Sequence, residues 1–144
     1  MDSRAETRGQ KASETDLVGV WQLVSFHDID DSGQKREGPL GPQPMGLLFY
    51  SANGHMSVNM MRTSHPAGPD GQGERPSPAY MSYGGSWRLE ADRVCHTISV
   101  APDPGWVDTE QVRELVLRGD RLTLYGTALV GPPQRRVLDW QRIR

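Results

Sequence analysis

His96 and Tyr83 are the two residues of this chain best suited to chemistry on a small molecule. An imidazole can take up or release a proton near neutral pH, and a tyrosine hydroxyl can donate to a ligand oxygen. Both sit in stretches of two-residue alternation. In VCHTISV (94–100), Val94, His96, Ile98 and Val100 share one face, opposite Cys95, Thr97 and Ser99. In YMSYGGSWRLE (80–90), Met81, Tyr83, Trp87 and Leu89 share one face, opposite Ser82, Ser86, Arg88 and Glu90. Burying the more apolar set of each predicts that Tyr83, Trp87 and His96 face inward. A desolvated imidazole favours the neutral form, which leaves one nitrogen free as a base. His96 is therefore the candidate proton shuttle, and Tyr83 the candidate group to polarise an oxygen. The commoner fate of such a histidine is a core position bonded to a Tyr or Ser, and of such a tyrosine a wall aromatic with a satisfied hydroxyl.

Further residues could complete a ligand site. Arg113, if inward, would bind a carboxylate or an enolate, although strand arginines more often face water. Trp106, in PDPGW at a strand end, would either rim a mouth or plug a corner. Met60 belongs to the apolar face of its strand with Met56 and Val58; methionines of this kind are more often gap-filling core. Asn59 lies on the other face with His55 and Ser57, a polar cluster if inward and a solvated outer face if not. Tyr50 and Phe49 occupy opposite faces, as do Arg113 and Val112, and alternation does not decide between them. Trp87 and Trp106 would shape the ligand.

Other chemistries find no support. The chain contains no Gly-x-Ser-x-Gly elbow, no phosphate-binding loop and no dinucleotide fingerprint. Its four histidines lack metal-ligand spacing, and the single cysteine, Cys95, cannot build a thiolate site or an internal disulfide. No metal and no cofactor are expected. The net charge of -2 offers no electrostatic reason to bind nucleic acid or an anionic membrane. No stretch approaches the ~20 apolar residues of a membrane-spanning helix, nor does the N-terminus carry a signal-peptide core. A reducing, cytoplasmic setting is the expectation.

These side chains need strands to place them. Sixteen glycines and eleven prolines in 144 residues supply abundant turns. Strands are predicted at 17–27, 47–51, 55–61, 80–90, 94–101, 111–118, 122–130 and 135–143, punctuated by signals such as Asn53-Gly54 and Gly119-Asp120. Residues 1–15 have little to bury and read as a disordered tail; 16–144 read as one domain. Arg62–Pro78 is too rich in Pro and Gly for a core element. Eight sequential strands with short links suggest an up-and-down antiparallel barrel, with a β-sandwich as the alternative.

Gly19-Val20-Trp21 resembles the Gly-x-Trp of lipocalins, in which the Trp closes one barrel end beneath a late-strand Arg; Arg142 or Arg144 would serve here. LVGVWQLVSF, PLGPQPMGLLFYSANGHMSVNMMR, YMSYGGSWRLE and PDPGWVDTEQVRELVLRGDRLTL together resemble the microbial lipocalin-like domain family of small cytoplasmic barrels, over about residues 17–143. The resemblance implies an all-β, eight-stranded antiparallel up-and-down lipocalin-like barrel. It also implies a small hydrophobic or polyketide-like ligand, since some barrels of this type serve natural-product pathways as cyclases or isomerases. The rival function is a barrel with a packed interior that acts in dimerisation or partner binding. A homodimer is compatible with either reading, and cavity volume separates them.

Overall fold

The computed structural model describes residues 11–64, 79–127 and 135–144. Within them the alternating segments become nine antiparallel strands: β1 Gly19–Ile29, β2 Lys35–Glu37, β3 Met45–Tyr50, β4 His55–Met61, β5 Tyr80–Glu90, β6 Arg93–Val100, β7 Glu110–Arg118, β8 Arg121–Thr127 and β9 Arg135–Ile143. From β3 onward each strand pairs with the next, β3 also pairs with β1, and β9 returns to β1 from Val20↔Ile143 to Ile29↔Arg135. One continuous ladder thus closes an eight-stranded barrel, and the sandwich is excluded. The ninth strand, β2, is a three-residue partner of His27–Ile29 that the sequence did not announce. Its residues Lys, Arg and Glu are all exposed, so no apolar alternation marks it.

Three of the eight predicted strands have the bounds read from the sequence, and the rest begin or end within a few residues of them. The predicted seventh strand extends to 130, of which 128–130 lie outside the described residues, as do 65–78 of the Pro/Gly-rich segment and 1–10 of the tail. The remainder of that tail is not featureless. A one-turn helix, α1 (Glu14–Leu17), begins two residues before the expected domain boundary, and the Asp16 carboxylate accepts from the Ser13 N–H at 2.9 Å.

α1 serves the closed end of the barrel. Leu17 and Trp21 are both 0% exposed, and the Trp21 indole N–H donates to the Leu17 carbonyl at 3.0 Å. The Arg142 guanidinium lies 4.3 Å from the Trp21 ring centroid. It also donates to the carbonyls of Val18, at 3.0 Å, and Asp16. Of the two candidate arginines Arg142 is the one over the tryptophan, whereas Arg144 pairs with Asp120 at 2.6 Å.

Inward faces follow the apolar sets. Met56, Val58 and Met60 are buried on β4, and Leu48 and Tyr50 on β3, while Leu47 and Phe49 face out. The pattern fails at the end of β6. A bulge inserts Ser99 between the pairs Gly84↔Val100 and Gly85↔Ile98, so Val100, expected inside, is 65% exposed. The strands meet so closely here that a Cβ on Gly85 would stand 1.8 Å from the Thr97 carbonyl oxygen. Only glycine fits.

Candidate functional site

The barrel interior is not filled. A cavity of about 420 Å³ lies between the inner faces of the strands. Leu48, Val58, Met60, Leu124 and Leu138 give it an apolar wall. Exposed Tyr80, Pro102 and Asp103 form part of its rim, together with Trp106. Asp103 fixes that corner: its carboxylate accepts from the Gly105 N–H at 2.8 Å and starts the 3-10 turn Pro104–Trp106. The PDPGW segment is therefore a built turn that carries Trp106 to the rim.

Polar chemistry enters at one region of the wall. His96 is 2% exposed, with a tyrosine hydroxyl on each ring nitrogen: Tyr50 Oη lies 2.6 Å from Nε2 and Tyr83 Oη 2.6 Å from Nδ1. Burial pushes the imidazole down to about 3, with the nearby Arg113 charge adding to the effect. The ring is thus neutral at physiological pH and carries one proton. Its tautomer follows from Tyr50, which is 2% exposed and whose hydroxyl has His96 as its hydrogen-bond partner among the described residues. If Nε2 held the proton, the Tyr50 proton would be buried without an acceptor, at a cost of about 1–3 kcal/mol. Tyr50 therefore donates to Nε2, and Nδ1–H donates to the Tyr83 oxygen. That leaves the Tyr83 O–H free, and Tyr83 borders the cavity. Burial pushes the Tyr83 hydroxyl up to about 12, partly opposed by Arg113, so the group acts as a hydrogen-bond donor rather than as an acid.

Two arginines face the same chamber. Arg113 is on the inner face of β7, together with buried Gln111 and Leu115, and Val112 is outside. The commoner outward placement of a strand arginine does not hold here, because β8 makes room for it. A Cβ on Gly126 would stand 2.6 Å from the Arg113 guanidinium, which lies on that bare backbone. Arg113 is steadied by the Gln111 side-chain oxygen at 2.9 Å and the Val112 carbonyl at 3.2 Å. Across the barrel wall, Gly126 is the register partner of Arg136 on β9. Arg136 borders the cavity 5.7 Å from the Phe26 ring centroid. Its Nε lies 3.6 Å from an oxygen of buried Asp28, within ion-pair reach but longer than a hydrogen bond, and neither atom has another partner among the described residues. Burial holds the Asp28 carboxyl above its usual range and the Arg136 guanidinium below its own.

Among the residues expected at a site, His96, Tyr83, Trp106, Met60 and Arg113 all border the cavity. Three do not. Trp87 lies behind Tyr50, 4.7 Å between ring centroids, and its indole N–H donates to the Ser51 carbonyl at 3.0 Å. Tyr50 reaches the cavity only through His96. Asn59 is on the outer side of β4, where it accepts from Tyr80 Oη at 3.2 Å. Its solvated reading was the correct one: the buried methionines take the inner face. Sequence reasoning missed Arg136, Gln111 and Trp140. Arg136 sits two residues into β9, where the apolar Val137 and Leu138 follow in succession and blur the alternation. Trp140 is 1% exposed, borders the cavity, and its indole N–H has no acceptor among the described residues.

The family match and the first of the solved structures below agree with the barrel. The family described as "Lipocalin-like domain" matches residues 18–143. Among solved structures, a lipocalin-like protein from Bacteroides uniformis is similar at a TM-score of 0.50 with 16% identity, covering 89% of this chain and 99% of that one. An uncharacterized protein from Bacteroides eggerthii is similar at 0.46 with 17% identity, covering 85% and 97%. A mutant of the fluorescent protein UnaG is similar at 0.42 with 11% identity, covering 92% and 99%. No curated protein matches in sequence. A family match over nearly all of the described barrel, on a chain that closes its floor with Trp21 under Arg142, establishes that the protein belongs to the lipocalin-like domain family.

Proposed function

We propose that the barrel binds a small, largely apolar molecule in its interior. The observation that carries this reading is the cavity of about 420 Å³, walled by Leu, Val and Met and supplied with a few converging polar groups. That is the size and composition range of small-molecule sites. The volume favours binding over the alternative of a packed barrel acting in dimerisation. The ligand class in this reading is a hydrophobic or polyketide-like molecule, and the setting is cytoplasmic, in keeping with a single cysteine.

Cofactor-free isomerisation or cyclisation is the finer version of the same proposal. Tyr83 would then hold a substrate oxygen through its O–H, and His96 would orient that hydroxyl, because both ring nitrogens are occupied by tyrosines. The low proton affinity of His96 weighs against its acting as a base of its own. Native mass spectrometry of freshly purified protein tests the binding claim. A retained small molecule that leaves on denaturation is the expected result. A mass equal to the bare chain in every preparation, together with failure to take up any apolar compound, would refute it.

A further inference from the structure

The polar groups of the cavity differ in kind from the balanced set that a neutral ligand would require. Tyr83 has its oxygen occupied by His96 and its proton unassigned. Trp140 has a buried N–H with no acceptor among the described residues. Arg113 has no carboxylate partner among the described residues, its contacts being the neutral Gln111 side chain and a carbonyl. Arg136 faces Asp28 at 3.6 Å without a hydrogen bond. All four side chains border one chamber; the Arg113 guanidinium lies over Gly126, whose register partner on β9 is Arg136. Two cations border the chamber, and Asp28 stands behind one of them, 3.6 Å from Arg136; the acid on the lining itself, Asp103, is exposed at the rim and occupied by its own turn.

An interior like this costs free energy when empty of a partner, since buried donors and unpaired charge are both expensive. Donors in excess of acceptors, with a net positive charge, call for a group that is all acceptor. A carboxylate is the simplest such group, with two oxygens that accept from a hydroxyl, an indole and a guanidinium at once. We infer that the ligand of this barrel is an apolar carboxylic acid, its carboxylate held by the Tyr83 hydroxyl and the Arg113 guanidinium and its hydrocarbon part lying along Leu48, Val58, Met60 and Leu138.

This rests on the proposal that the cavity binds a small apolar molecule, and the two can fail separately. Tyr50 and His96 are positioning residues: they fix the tautomer that turns the Tyr83 proton outward. Arg136 supports the same field, and Gly126 keeps the space in which Arg113 lies.

The test compares a matched pair of probes, dodecanoate and its methyl ester, by displacement of the neutral dye Nile red at pH 7.5. The acid should bind at least about 10-fold more tightly than the ester, the worth of one charge-assisted hydrogen bond. Arg113→Gln and Tyr83→Phe should each bring the acid-to-ester ratio toward one. Acid preference that survives both substitutions would overturn the assignment. Equal binding of acid and ester by the wild-type chain would overturn the carboxylate inference and leave the apolar cup standing. Failure of the dye and both probes to bind would overturn both. The wild-type ratio decides the matter even if a variant does not fold.

Discussion

Acidification should act on the Tyr50–His96–Tyr83 chain in a way that can be worked out from its geometry. In the unfolded chain His96 titrates near 6.5, whereas in the barrel burial holds it down to about 3. The folded state therefore refuses a proton that the unfolded state accepts. The resulting stabilisation is complete above about pH 6.5, shrinks as the pH falls, and is gone near pH 3. At pH 4.5 the unfolded histidine is two units below its midpoint while the folded one is still neutral. The loss between pH 7 and pH 4.5 is then about 2–3 kcal/mol for this one group. Asp28 works in the opposite direction, since its carboxyl is raised by burial, so the His96 share must be isolated by substitution. His96→Gln keeps an amide that can serve the tyrosines but removes the titration. Urea unfolding of both proteins at pH 7 and pH 4.5 should show the wild type losing about 2–3 kcal/mol more than the variant. Equal losses, or an NMR midpoint for the His96 ring near 6.5, would refute the doubly bonded neutral imidazole.

Arg142→Met removes the cation over Trp21 and two hydrogen bonds to the carbonyls of Asp16 and Val18, and should destabilise by about 2–4 kcal/mol in urea unfolding. A loss below about 0.5 kcal/mol would show that the closed end does not depend on it. Gly85→Ala forces a Cβ into the Thr97 carbonyl and should cost at least about 3 kcal/mol or prevent folding. A soluble variant with an unchanged unfolding midpoint would contradict the bulge geometry.

How much of this was legible in the sequence differs by residue. Tyr83 and His96 were readable because two-residue alternation and the apolar weight of their neighbours leave one burial choice, and Trp21 through its resemblance to the lipocalin Gly-x-Trp. β4 was legible only in part: its methionine and valine positions weigh against His55, Ser57 and Asn59, yet alternation alone left both faces open. Arg113 was not, because its outward partner Val112 is the more apolar of the two and argues for the wrong face. What turns Arg113 inward is Gly126, thirteen residues on, whose missing side chain leaves space that appears only once β7 and β8 are paired. Val100 was misread because a bulge cancels periodicity without any marker in β6 itself. The Gly84-Gly85 pair on the neighbouring strand was the available signal. Trp87 shared the inner face as expected, but a face says nothing about depth, and Tyr50 stands between it and the cavity.

Binding of Nile red to the wild-type chain and to Val58→Trp tests the central claim most directly. Val58 is 4% exposed and borders the cavity, so the larger indole would take up room that a ligand needs. With far-UV circular dichroism showing both proteins folded, the wild type should bind one dye per chain, with blue-shifted emission. The variant should bind at least about 10-fold more weakly. Equal affinity in the two folded proteins, or no saturable binding by the wild type, would contradict a ligand site inside the barrel.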